Sequence, residues 1–227
     1  METIISNIRQ GYKNQHQPHK VTLLAMGIVF FTLSLSAQYQ NATNEQKKGI
    51  IGQITQAAGD MHAMQCDFTQ VKESSFLDEK ITLEGKVYYK KPNKIRFEYT
   101  KPNAYVIAMD GQNMSMTSGG QKTTIPANQS KLFSEISRVM VSGVSGSGLV
   151  DSPDFDTQLS IGNTDYKVVL TPKKKEVRDL FSAIQLFVGK SDHRIRSVEL
   201  IEKGGDKTTI NLRNLSVNTA INDEIFR

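Results

Sequence analysis

The sequence predicts a mainly β protein, with about eleven antiparallel strands in one curled sheet and helices set against it. Three observations lead there. Short segments alternate apolar and polar residues with a period of two, as half-buried strands do. Tight-turn signals separate them, among them Asp110-Gly111, Ser118-Gly119-Gly120 and Gly162-Asn163. A helical period shows in only two stretches after the leader, one before the strands and one midway. A twisted sheet of this many strands must curl, close or split, and a curled one needs apolar filling.

The chain begins with a leader. Val21 to Leu35 is uncharged and mostly apolar, shorter than the about 20 residues of a membrane span. Arg9, Lys13 and Lys20 supply a positive n-region, and Ser34-Leu35-Ser36-Ala37 supplies small residues before Gln38. This is the plan of a secretory signal, with cleavage expected after Ala37 and Ser36 as the alternative. An uncleaved N-terminal anchor is the competing reading. Residues 1–37 are therefore expected to be a signal with a polar N-terminal extension, and residues 38–227 the exported domain.

From Asn41 to Met64 the apolar residues Ile50, Ile51, Ile54, Ala57, Ala58, Met61 and Met64 fall at helical spacing, with Thr43 and Asn44 as possible caps. Period two begins at Gln65–Lys72. A long hairpin follows: Leu83, Gly85, Val87 and Tyr89 share one face of its first strand, and Ile95, Phe97 and Tyr99 one face of its second, with Pro92-Asn93 as the turn. Three short strands, Ala104–Asp110, Gln112–Thr117 and Gln121–Ile125, complete a meander. Asn128–Met140 reads as the second helix, with Leu132, Phe133, Ile136, Val139 and Met140 on one side, and residues 141–150 as a mobile loop or broken helix. Five strands then close the chain: Phe155–Ile161, Asp165–Leu170, Phe181–Val188, Arg194–Ile201 and Thr208–Leu215.

Composition excludes more than it proposes. The formal net charge is +5, of which residues 1–37 carry +2, and the remaining +3 is too even a balance for a nucleic-acid partner. The one cluster, Lys173-Lys174-Lys175, reads as a solvated turn. Gly143 to Gly148 lacks the Lys-Ser/Thr of a phosphate loop. After the leader the two histidines, His62 and His193, lack metal-ligand spacing and no Gly-x-Ser-x-Gly elbow is present, so neither a metal, a cofactor nor an enzyme is expected. His62 and Cys66, four apart, are the weak motive for an exported thiol enzyme. The sequence is rich instead in methionine, including Met61, Met64, Met109, Met114, Met116 and Met140. That flexible side chain suits a pocket for variable apolar ligands as well as an ordinary core.

The order of these features resembles the LolA family of periplasmic outer-membrane lipoprotein carriers. Phe68-Thr69-Gln70, the run from Gly85 to Tyr99, Pro102, Asp110-Gly111, the segment from Val168 to Pro172 and the closing segment from Asn218 to Phe226 carry the resemblance, over roughly residues 40 to 226. It implies an incomplete, half-open antiparallel β-barrel with an α-helical lid over a hydrophobic cavity, and a monomeric carrier that moves acylated lipoproteins between membranes. The implied partners are an inner-membrane lipoprotein-releasing ABC transporter and an outer-membrane acceptor. A related envelope lipid-binding or sensor module is the alternative. On this basis Phe68, Val87, Tyr89, Ile95, Phe97, Tyr99, Met109, Met116, Phe133 and Ile136 are expected to line the cavity. Members often carry arginine before the hairpin proline, where it latches the lid; Lys91 holds that place here and lacks the bidentate fork. A one-residue slip in strand parity would reverse every assignment to the cavity face.

Overall fold

In the computed structural model, residues 39–76, 80–126, 141, 150 and 152–227 are described. The leader (residues 1–37), the second helix expected at Asn128–Met140 and all but the two ends of the 141–150 loop lie outside them. The twelve strands are β1 Gln40–Asn41, β2 Ala63–Glu73, β3 Lys80–Lys90, β4 Lys94–Lys101, β5 Tyr105–Met109, β6 Asn113–Ser118, β7 Gln121–Pro126, β8 Phe155–Ile161, β9 Asp165–Pro172, β10 Phe181–Gly189, β11 Ile195–Glu202 and β12 Lys207–Val217. Eleven match the strands expected from periodicity; β1, two residues long, is too short to leave a pattern.

All twelve join one antiparallel sheet in the order β1-β8-β9-β10-β11-β12-β2-β3-β4-β5-β6-β7. It is two meanders stitched together by the long β12–β2 pairing, and it does not close, since β1 and β7 stand at opposite edges. One apolar cluster nevertheless draws Leu159 of β8, Leu186 of β10 and Phe68 of β2 together with Ile95 of β4. Strands so far apart in the order share a core only if the sheet curls. The fold is therefore an open, half-barrel sheet with a helix inside its curve.

That helix, α1 (Asn44–Gly59), starts with a capping box: Thr43 accepts from the Gln46 amide, and the Gln46 side chain accepts from the Thr43 amide. It buries Ile50, Ile54 and Ala58. Near its start the Ala42 amide donates to the Leu159 carbonyl at 2.9 Å and Lys47 donates to the Thr157 carbonyl, both on β8. At its far end it meets the β3–β4 turn, where Lys91 donates to the Gly59 carbonyl. The helix thus bridges the curve between strands six places apart in the sheet.

The helix ends earlier than the apolar spacing suggested. The His62 amide donates to the Asn218 side chain at 2.8 Å and the Asn218 amide to the Ala63 carbonyl at 2.7 Å, which draws the chain into the sheet. Met64 therefore sits on β2, wholly buried, and is no part of the helical stripe. The lysine run after β9 also forms more than a solvated turn. Lys173 and Lys174 pair with Asp156 and Asp154, and a single helical turn, Lys175–Arg178, carries the chain to β10 with Val177 buried.

Candidate functional site

Strand pairing fixes which side chains share the concave face. Cα partners run from Phe68 through Gly85, Tyr99 and Tyr105 to Ser118 and Gln121. A second row runs Cys66, Val87, Phe97, Ile107, Met116, Thr123, and a third Met64, Tyr89, Ile95, Met109, Met114, Ile125. The hairpin parity read from the sequence is the observed one.

Around β2–β4 the described side chains of this face are buried. Phe68, Val87, Tyr89, Ile95, Phe97, Tyr99 and Met109 are all buried members of the core. Phe68 stands edge-on to Phe97 and Tyr99, at 5.6 and 5.0 Å between centroids, and Tyr99 stacks on Tyr105 at 4.1 Å. The Tyr99 hydroxyl donates to the Gln70 side-chain oxygen at 2.9 Å, and burial holds its pKa well above the usual tyrosine range. Gly85 makes room for this cluster: a Cβ there would overlap the Glu98 carbonyl oxygen and lie 2.9 Å from the Phe68 ring.

Open space begins one strand further on. A groove of about 490 Å³ lies along β5–β7, lined by Ile107, Met114, Met116, Ser118, Gln121, Thr123 and Ile125 of the concave face and by Ser115. Met116 is 49% exposed, one of the few large apolar side chains among the described residues so open to solvent; Phe76 and Ile81 of the β2–β3 arm are others. Of the residues expected to line a cavity, Met116 lies in the groove, seven pack beneath and beside it, and Phe133 and Ile136 are outside the described residues. Ile107, Met114 and Ile125 were not singled out as lining. Their signal is the alternation of short strands carrying methionine, which assigns them a shared face but does not mark that face as a groove.

Lys91 lies on the turn between β3 and β4 and is joined to Pro92 by a cis peptide. Its ammonium reaches the Gly59 carbonyl while its amide donates to the His62 carbonyl at 2.9 Å. A cation on the last carbonyls of a helix satisfies acceptors that have no partner within the helix and complements its dipole. Neighbouring Asn93 packs against Gly111 of the β5–β6 turn, whose φ of +94° and lack of Cβ permit the approach.

Cys66 is 5% exposed and its thiol is pushed up to about 12, by burial first and by the adjacent Asp67 second. It points into the core on β2, while exposed His62 belongs to the link before β2, so no thiol–imidazole pair is assembled. Among the described residues no three His, Cys, Asp or Glu side chains converge as a metal site.

Among solved structures, a LolA superfamily protein from Nitrosomonas europaea is similar, at 14% identity and a TM-score of 0.44, over 80% of this chain and 97% of that one. A putative outer membrane lipoprotein-sorting protein domain from Vibrio parahaemolyticus is 9% identical, with a TM-score of 0.43 over 78% of this chain and 94% of that one. The MucA/MucB complex of Pseudomonas aeruginosa contains a chain 10% identical, with a TM-score of 0.44 over 80% of this chain and 60% of that one. No curated protein matches the sequence. The family described as outer membrane lipoprotein carrier protein LolA matches residues 60–227, from the end of α1 through every long strand to the C-terminus, and the chain belongs to that family.

Proposed function

We propose that the protein is a periplasmic carrier that takes the acyl chains of lipoproteins released from the inner membrane and delivers them to the outer membrane, without catalysing a reaction. The observation that carries this reading is the groove along β5–β7: apolar, open, and continuous with a filled aromatic core. Each buried methylene is worth about 0.8 kcal/mol, so a chain of ~15 methylenes holds roughly 12 kcal/mol against leaving its membrane unaided. A groove of methionine and isoleucine recovers much of that energy without directional bonds, which leaves release possible. The partners on this reading are an inner-membrane lipoprotein-releasing ABC transporter and an outer-membrane acceptor, and the leader directs export.

The test is depletion of the protein from its cells, followed by membrane fractionation. Lipoproteins should accumulate at the inner membrane. Unchanged sorting, together with acyl lipid found by mass spectrometry on the purified protein, would favour a lipid-binding or sensor module instead.

A further inference from the structure

We propose that the β5–β7 groove binds its amphiphile in one direction, with the acyl tail toward Met114 and Ile125 and the polar head at Ser118 and Gln121. The inference rests on the carrier reading and specifies how that site is used.

Strand register supplies the argument. The row at one end of the groove is Ile95, Met109, Met114, Ile125, with no side-chain hydrogen-bonding group in it. The middle row ends in Ile107, Met116, Thr123, two apolar side chains and one hydroxyl. The row at the other end is Tyr99, Tyr105, Ser118, Gln121, and every member carries a hydroxyl or an amide. Polarity therefore rises in steps along the strands. Solvent access rises the same way: Met109 is buried and Met114 half-buried, whereas Ser118 and Gln121 are exposed beside the Gly119-Gly120 turn. A carboxylate or ester head at the Met114 end would lose water and find, among the described lining residues there, only Ser115, which belongs to the opposite parity of β6; such a loss is costly for a polar group. At the Ser118 end it keeps water and meets two donors. The tail gains most where Met114 and Ile125 are least wet.

The chain has no tryptophan, so single tryptophans report position without background. Ile125→Trp and Gln121→Trp mark the two ends on β7, and Met114→Trp and Ser118→Trp repeat the comparison on β6 in case one pair fails to fold. The probes are two stearates, one with a nitroxide quencher near its methyl end and one near its carboxylate. The methyl-end quencher should cause the greater loss of emission at positions 125 and 114, and the carboxylate-end quencher at 121 and 118. Reversed or equal losses at the two ends would overturn the orientation and leave the carrier reading standing. No loss from either probe at any position would overturn both.

Discussion

The Lys91 ammonium on the β3–β4 turn donates to the carbonyl oxygen of Gly59, the last residue of α1, so the hairpin tip holds the end of the helix that lies across the sheet. The main chain makes a separate bond, from the Lys91 amide to the His62 carbonyl. Removing only the side-chain donor should therefore loosen the helix end without unravelling the turn. Lys91→Met is expected to cost about 0.3–1 kcal/mol, the usual worth of a cation at a helix C-terminus. Lys91→Arg should restore most of it. Amide hydrogen exchange in the last turn of α1 measures the effect: faster in the methionine variant, near wild-type in the arginine variant. If the contact acts as a latch, acyl-probe uptake and release both quicken in the methionine variant.

Core and groove can be separated by substitution. Phe97 is 3% exposed among Phe68 and Tyr99, so Phe97→Ala should lose about 3–5 kcal/mol of stability. Met116 is 49% exposed in the groove, so Met116→Glu should leave thermal stability within about 0.5 kcal/mol while weakening binding of a fluorescent fatty acid. A stable Met116→Glu protein with undiminished binding would move the ligand elsewhere.

Gly85→Ala should destabilise by roughly 1–3 kcal/mol, since the added methyl meets main chain on one side and the Phe68 ring on the other. In a domain of this size that lowers the melting temperature by about 2–4 °C per kcal/mol. Pairing of β3 with β4 already shifts register between Glu84 and Gly85, so the sheet has little slack there.

Most of the sheet was legible because its alternation is strict: Val87, Tyr89, Ile95, Phe97 and Tyr99 lie on one face, as their spacing required. Periodicity names a face but not what covers it. It could not show that the inward side chains of β2–β4 are buried while those of β5–β7 line a groove, because that depends on elements distant in sequence. Nor could it end α1 at Gly59. Met61 and Met64 continue the helical spacing, and only the contact from Asn218, more than 150 residues away, converts Met64 into a strand residue. Phe226, buried to 1% in the closing turn that meets the outer face of β4, had no pattern to announce it.

The Cys66 thiol should resist an aromatic disulfide reagent near pH 8 in the native protein and react at once in denaturant, because burial holds it protonated up to about 12. The sign of its linkage to stability follows. Above the ordinary value of 9.0 the unfolded thiol loses its proton while the native one keeps it, so the unfolded state binds fewer protons and stability falls as pH rises. Denaturant titrations between pH 9 and 11 should show wild type losing up to about 1.4 kcal/mol per pH unit more than Cys66→Ala.

Asp223 fastens the C-terminus to the outside of the hairpin. Lys90 and Lys94 contact its two carboxylate oxygens at 2.6 and 2.8 Å, and their hydrogen bonds hold its pKa down at about 2. Arg96 donates to the Ile225 carbonyl at 3.0 Å, and Phe226 is buried to 1% on the same face. A carboxylate with a depressed native pKa contributes stability above its ordinary value of 3.8, and that contribution is lost as pH falls through about 2. Acid should therefore free the Asp223–Phe226 turn, and Asp223→Asn should weaken it at neutral pH, where wild type holds. Because the pair is exposed, added salt should imitate part of the substitution. Carboxypeptidase trimming gives the measurement: wild type should resist at pH 7 in low salt, while the asparagine variant is trimmed under the same conditions. Equal resistance would place the hold on Phe226 burial and on the bonds that Arg96 and Lys90 donate to the Ile225 and Ile221 carbonyls.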